Sequence, residues 1–379
     1  MDKTARSNST GNFQVNDNQQ PSDTPPASEK HIAVGVQADS GTNLLATSNS
    51  SGIKATATAP TYAASASNSA STHQQQFFNA VASKDLSEVT RLLTAHPSQI
   101  DIKLTDKATG KSPLKMALEA KNDKLAQALV FHGAPANAFD GQGRTPVMLA
   151  AAAGLTHTVN MLTSRGATID DVDKSGCTAL HHAVQGGKAD IVTALIHAKA
   201  NVNATDRSGC TPLHHAATAG SAGMVKALIE AGAKADPKDR TRNTPLWNAC
   251  KAGKVEVVKI LLGKGAKAER YCGSLKDSTP MLAACSGDND AQALSIVTLL
   301  VGKKASVNFA DQHNGNVPLI AAAENGLFST TAYLLNECGA SPDAVNKAGK
   351  TALYGARENT VKLLNDHGIK KGLRDKIFQ

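Results

Sequence analysis

Two short stretches carry the residue types from which metal sites are built. GCTALHHA spans Gly176–Ala183, and GCTPLHHA spans Gly209–Ala216, 33 residues further on. Each holds one cysteine and two adjacent histidines, and thiolate and imidazole are the ligands of structural zinc. The spacing argues against that chemistry. Equivalent residues on packed neighbouring helices stand about 8–10 Å apart, whereas two ligands of one zinc lie within about 4 Å of each other. His181 and His182 are consecutive, so on a helix they diverge by about 100°. Cys177 and Cys210, one repeat apart, fail the Cα separation of about 7 Å that a disulfide allows. No metal ligand set and no other cofactor is expected.

Catalytic signatures are also missing from the sequence. There is no phosphate-cradling glycine loop, no HExxH, no nucleophile elbow and no kinase signature. The chain is therefore not expected to be an enzyme. Six cysteines in 379 residues, without paired spacing, suggest reduced thiols in a cytoplasmic setting. No apolar run reaches the roughly 18 residues of a membrane span.

Composition divides the chain. Residues 1–75 are rich in Ser, Thr, Asn, Gln and Ala and show no helical or strand period. Such a segment cannot bury enough apolar surface to offset its ordering entropy, so a disordered tail is expected there. To His73 it holds four basic and five acidic residues, so the net charge of +8 belongs to the rest of the chain. From Phe77 the apolar residues fall at helical spacing, and Phe77–Pro97 reads as two short antiparallel helices.

Beyond that helix pair the sequence repeats. Residues equivalent to Thr178 are Ser112, Thr145, Thr211, Thr244, Thr279, Val317 and Thr351, at steps of 33 to 38 residues. A polar turn precedes each, such as DKSG (Asp173–Gly176) or DRSG (Asp206–Gly209). Thr-Pro-Leu or a near relative follows, then a small-residue helix and a second helix with an apolar pair such as Leu228–Ile229. The threonine can cap unpaired helix N–H groups, and proline at the first helical position loses an N–H that had no partner. One such unit cannot bury its apolar face alone, but stacked neighbours can.

This period, with TALHHA (Thr178–Ala183) and TPLHHA (Thr211–Ala216), resembles the ankyrin repeat family over about 300 residues. The resemblance implies an all-α solenoid of helix–turn–helix units with β-turn tips behind a disordered N-terminal tail. It divides the chain into a cap helix pair at 76–105 and repeats at about 106–138, 139–171, 172–204, 205–237, 238–270, 271–310, 311–344 and 345–379. The last repeat is short. Extra residues at Tyr271–Lys276 and Gly287–Ser295 predict longer, less regular loops.

The family position of His181 and His214 implies a framework role, tying turn to helix by hydrogen bonds. Cys177, Cys210, His182 and His215 are then residues that the scaffold does not require, and a partner is to be sought there. Cys250 and Cys285 take small-residue positions and read as packing. Trp247 replaces the framework histidine in TPLW; it reads either as half-core packing or as an anchor for a partner.

Family members mostly bind other proteins, through turn tips and a concave face lined by first helices. The positions on those surfaces are Arg144, Lys174, Cys177, Gln185, Arg207, Cys210, Thr218, Arg240, Arg242, Trp247, Asn248, Lys251 and Lys276. Lys174, Arg207 and Arg240 recur at 33-residue steps, which suits an acidic protein partner. A monomeric, non-enzymatic adaptor is the leading expectation. A nucleic-acid binder is the weaker alternative, because few aromatics interleave with the basic stripe for base stacking. The Ser/Thr-rich leader ahead of such a domain is also similar to bacterial proteins injected into host cells.

Overall fold

The computed structural model describes residues 62–269 and 278–369, with side chains described from residue 72 onward. The expected tail up to residue 61, the export reading attached to it, the loop at Tyr271–Lys276 and Lys276 itself lie outside the described residues. Among the described residues all regular structure is α-helix.

The N-terminal cap pair is α1 (Tyr62–Ala82) and α2 (Leu86–Ala95). α1 has 21 residues and starts well ahead of residue 76, so helix reaches into the stretch that composition assigns to the tail. Seven helix pairs follow. They are α3 (Pro113–Glu119) with α4 (Asp123–Phe131), α5 (Pro146–Ala153) with α6 (Thr156–Ser164), and α7 (Ala179–Gln185) with α8 (Ala189–His197). Next come α9 (Pro212–Ala219) with α10 (Ala222–Glu230), α11 (Pro245–Lys251) with α12 (Val255–Gly263), α13 (Pro280–Cys285) with α14 (Asp290–Val301), and α15 (Pro318–Glu324) with α16 (Phe328–Asn336). α17 (Glu358–Asp366) closes the described chain without a helical partner of its own repeat. At Thr351–Gly355, where the other repeats start a first helix, the eighth has only a turn.

First helices pack on first helices, α5 on α7 on α9 on α11 on α13, and second helices do the same from α4 to α16. The core is one continuous band of small and branched side chains between these two layers. Alanines such as Ala183, Ala216 and Ala249 are fully buried and let the layers approach closely.

Local chemistry sets the helix starts. Ser112, Thr178, Thr244 and Thr279 each accept a hydrogen bond from the backbone N–H three residues on. Proline opens most first helices, including α5, α9 and α11. The four residues inserted around Gly287–Ser295 behave differently from expectation. The loop between α13 and α14 is short, Ser286–Asn289, and α14 runs to 12 residues where its counterparts have nine. Asn289 caps it by accepting from Gln292 N–H, and the following Asp-Ala-Gln-Ala favours helix, so the insertion adds a helical turn.

Candidate tip and first-helix interface

Each described turn is built around an aspartate, or around Asn346 in the last repeat. Asp173 Oδ1 accepts from the N–H groups of Ser175 (2.8 Å) and Cys177 (2.9 Å). Asp206 Oδ1 does the same for Ser208 and Cys210. The turns are then joined to one another by backbone: Lys174 N donates to Gln142 O, Arg207 N to Ser175 O, and Arg240 N to Ser208 O, all within 2.9–3.0 Å. Lys174, Arg207 and Arg240 are exposed on this ladder, so its spacing is fixed by main chain and not by flexible loops.

The framework histidines do more than the family resemblance implies. His181 Nδ1 accepts from Thr178 N (3.2 Å) and lies 2.9 Å from Thr178 Oγ1. Its Nε2 is 3.1 Å from the carbonyl of Cys210, in the next repeat. His214 repeats this with Thr211 and with the Asn243 carbonyl. A ring that accepts at Nδ1 must carry its proton on Nε2, so each imidazole donates to the following repeat. Met148 holds the same position one repeat earlier. It offers only a thioether to Thr145 N, and the buried Thr145 hydroxyl has no partner.

His182 and His215, expected to be free of scaffold duties, are hydrogen-bonded within it. His182 Nε2 lies 2.9 Å from Asp173 Oδ2, and His215 Nε2 lies 2.9 Å from Asp206 Oδ2. Each ties the first helix to its own turn. Burial would raise the Asp206 carboxyl, but the bonds from His215, Cys210 N–H and Ser208 N–H outweigh it and hold the group below the usual carboxylate range. Asp173 is held low in the same way, by Cys177 N–H, Ser175 N–H and His182 against burial.

Comparing equivalent positions missed a diagonal contact. His181, Asp206 and His215 bring three ligand-type atoms within 4.8 Å of one another, and the two rings meet edge to face at 5.8 Å. These are the described residues best placed to hold a metal. A metal on the Nε2 atoms would have to displace their protons and, with them, His181's bond to Cys210 O and His215's bond to Asp206. The set is thus already used as a bracket between repeats.

Other expected contact residues divide by environment. Cys177 is buried, against expectation, because Gln185 covers it and the turn closes above it. Burial and the charges of Asp173 and Asp206 push its thiol up to about 11. Cys210 is pushed up to about 12 by burial and by Asp206 and Asp239, and its Sγ is 3.8 Å from Asp239 Oδ2. Neither is a thiolate, and no disulfide joins the described cysteines. Trp247 is half-buried against the core and donates Nε1–H to Ser278 Oγ at 3.3 Å, the inter-repeat bond that histidine makes elsewhere. Arg144 forks onto Asp140 (3.1 and 2.9 Å), whose carboxyl falls to about 2 because these bonds, with backbone donors, outweigh burial. Gln185, Thr218, Arg242 and Lys251 are exposed and Asn248 is half-buried on the same face. Sequence reasoning overlooked Phe139 and Val172, exposed apolar residues directly before the turn aspartates. Aligning that one position across repeats would have shown them.

Burial holds both framework imidazoles below the ordinary value of 6.5, although their carbonyl partners act the other way. The unfolded chain then binds protons below about pH 6.5 that the folded chain refuses. Stability should therefore be complete above about pH 6.5 and fall as pH drops toward the folded values. The turn carboxylates add a further loss below about pH 4, their unfolded range, as Asp140 is taken toward 2. Urea midpoints measured between about pH 7.5 and about pH 5 test this, and a flat profile would contradict it.

A two-layer stack of helix pairs with hydrogen-bonded turn tips defines a repeat solenoid. The chain belongs to the ankyrin repeat family: the model for ankyrin repeats in three copies matches residues 77–173, 120–206, 147–239, 180–272 and 281–375. It is similar to the crystal structure of the human ASB11 ankyrin repeat domain, with 31% identity and a TM-score of 0.51, covering 59% of this chain and 97% of that one. It is also 38% identical over 66 residues to the ankyrin repeat and KH domain-containing protein mask-1 of Caenorhabditis elegans. That match takes in 17% of this chain and 2% of the length of the relative. Ankyrin repeats generally mediate protein–protein interaction, and the fold is typically a non-enzymatic scaffold. No described helix is long and apolar enough to cross a membrane.

Proposed function

We propose that this chain is a non-enzymatic adaptor that binds an acidic protein surface through its turn tips and first-helix face. The observation that supports it is the ladder of backbone bonds that spaces Lys174, Arg207 and Arg240 along one edge. A surface held this way loses little freedom on binding, so less of the contact energy goes into ordering it. The basic side chains steer an acidic partner and raise the association rate. Gln185, Thr218, Asn248 and Lys251 flank the tips and supply polar contacts. The chain acts as a monomer in the cytoplasm in this reading.

Affinity capture on the full chain, with mass spectrometry of what is retained, tests it. Arg207→Glu combined with Arg240→Glu should abolish retention of the main partner and leave the melting temperature nearly unchanged, since both side chains are exposed. Unchanged capture by this variant would remove the tips from the interface. Salt-sensitive binding of an oligonucleotide in place of any protein would favour the nucleic-acid alternative.

A further inference from the structure

The tip ladder has one break among the described neighbours. Every later pair of adjacent described tips is stitched, including Lys347 N to Asn314 O at 2.8 Å. No backbone bond joins Gly141 to the turn of the first repeat. That turn closes on itself, as the stitched turns also do: Asp106 N donates to Lys111 O, Gly110 N to Asp106 O, and Asp106 Oδ2 accepts from both N–H and hydroxyl of Thr109. Length is not the cause. The seventh turn, Asp311–Val317, is as long as Asp106–Ser112, and it is stitched. The glycines report the same gap. A Cβ on Gly176, Gly209 or Gly315 would meet backbone of the next tip within 3.0 Å, whereas one on Gly110 or Gly141 would meet nothing within 4 Å.

The break opens a cleft of about 210 Å³ between the first two tips. Its lining includes Leu118, Leu149 and Pro146, all buried, with Phe139 at the mouth. Phe139 is 61% exposed. The rim is basic. Lys115 and Arg144 share Asp140, while Lys103 forms no ion pair with the described residues. A volume below the roughly 300 Å³ of ordinary ligand pockets suits one side chain, not a whole small molecule.

We propose that this cleft seats one apolar side chain of an extended acidic peptide segment of the partner. The aliphatic floor and Phe139 take the anchor, and Lys103 takes a flanking carboxylate. The backbone N–H of Gly141, unstitched here, faces the peptide as an extra donor. This rests on the adaptor reading but not on the tips of the later repeats. An aliphatic floor with a single aromatic does not suit nucleic acid, which asks for stacking faces on successive bases.

Selection of a displayed random-peptide library on the full chain tests it, with counter-selection on a Phe139→Ser, Lys103→Glu variant. Both positions are exposed, and an unchanged melting curve checks that the variant folds. Enriched peptides should combine several Asp or Glu residues with one apolar residue. Each, made synthetically with a fluorophore, should bind the wild-type chain at least about tenfold more tightly than the variant. Replacing its apolar residue by Ser should cost a similar factor. Enrichment of basic or neutral apolar peptides, or equal binding to wild type and variant, overturns the proposal. Weakened binding to the variant, together with intact capture by the Arg207→Glu, Arg240→Glu chain, would support the cleft and remove the later tips. The converse result would remove the cleft and keep the tips.

Discussion

Replacing Leu228 by alanine should lower the unfolding free energy by about 2–5 kcal/mol. Leu228 is fully buried on α10, in the middle of the stack. Its removal deletes transfer energy and leaves a cavity that the close-packed layers cannot collapse into. A solenoid amplifies the effect, because each repeat is held only by its two neighbours. α10 touches α8 on one side and α12 on the other, so both interfaces loosen at once. Chemical denaturation should show an earlier midpoint, and a lower slope would indicate that the two halves have begun to unfold separately. Leu104→Ala is the control: its side chain is half exposed, and the loss should stay below about 1 kcal/mol. Equal effects of the two substitutions would contradict the two-layer core.

Much of this was legible in the sequence, for reasons that are local. Thr178, Pro212 and the turn aspartates act on backbone within five residues, so their roles follow from spacing. The apolar pairs, one member buried and the other usually packed half-buried against the core, follow from helical period. What the sequence hid was geometry between repeats. His181 reaches Cys210 O, 29 residues on, and Gln185 reaches His215. Reading by equivalent position compares His181 with His214, and so misses the diagonal partners that a helical stack creates. The insertion in the sixth repeat was misread for a different reason. A length difference shows that residues were added, but whether helix or loop absorbs them depends on the capping Asn289 and the helix-favouring residues behind it. The break between the first two tips has no sequence signature, since the seventh turn has the same length and is closed.

Two glycines that look alike in sequence should answer very differently to alanine. Gly209 and Gly110 both end a turn with positive φ, +77° and +64°, where an L side chain is strained by about 1–2 kcal/mol. At Gly110 that strain is the whole cost, because an added Cβ meets nothing within 4 Å. At Gly209 the Cβ would lie 2.8 Å from Arg240 N and 3.1 Å from Arg240 Cγ. The side chain could swing away, but the backbone N cannot: it is held 2.9 Å from Ser208 O in the ladder. Overpacking of this kind adds about 1–3 kcal/mol, so Gly209→Ala should cost about 2–5 kcal/mol in all. It should also shift the Arg240 tip and weaken partner capture beyond what lost stability explains, while Gly110→Ala leaves the later tips in place. Thermal unfolding of both variants, with capture measured well below either midpoint, separates the two effects. If the substitutions prove equally mild, the ladder does not fix the tips, and the basic edge would be a set of independent loops.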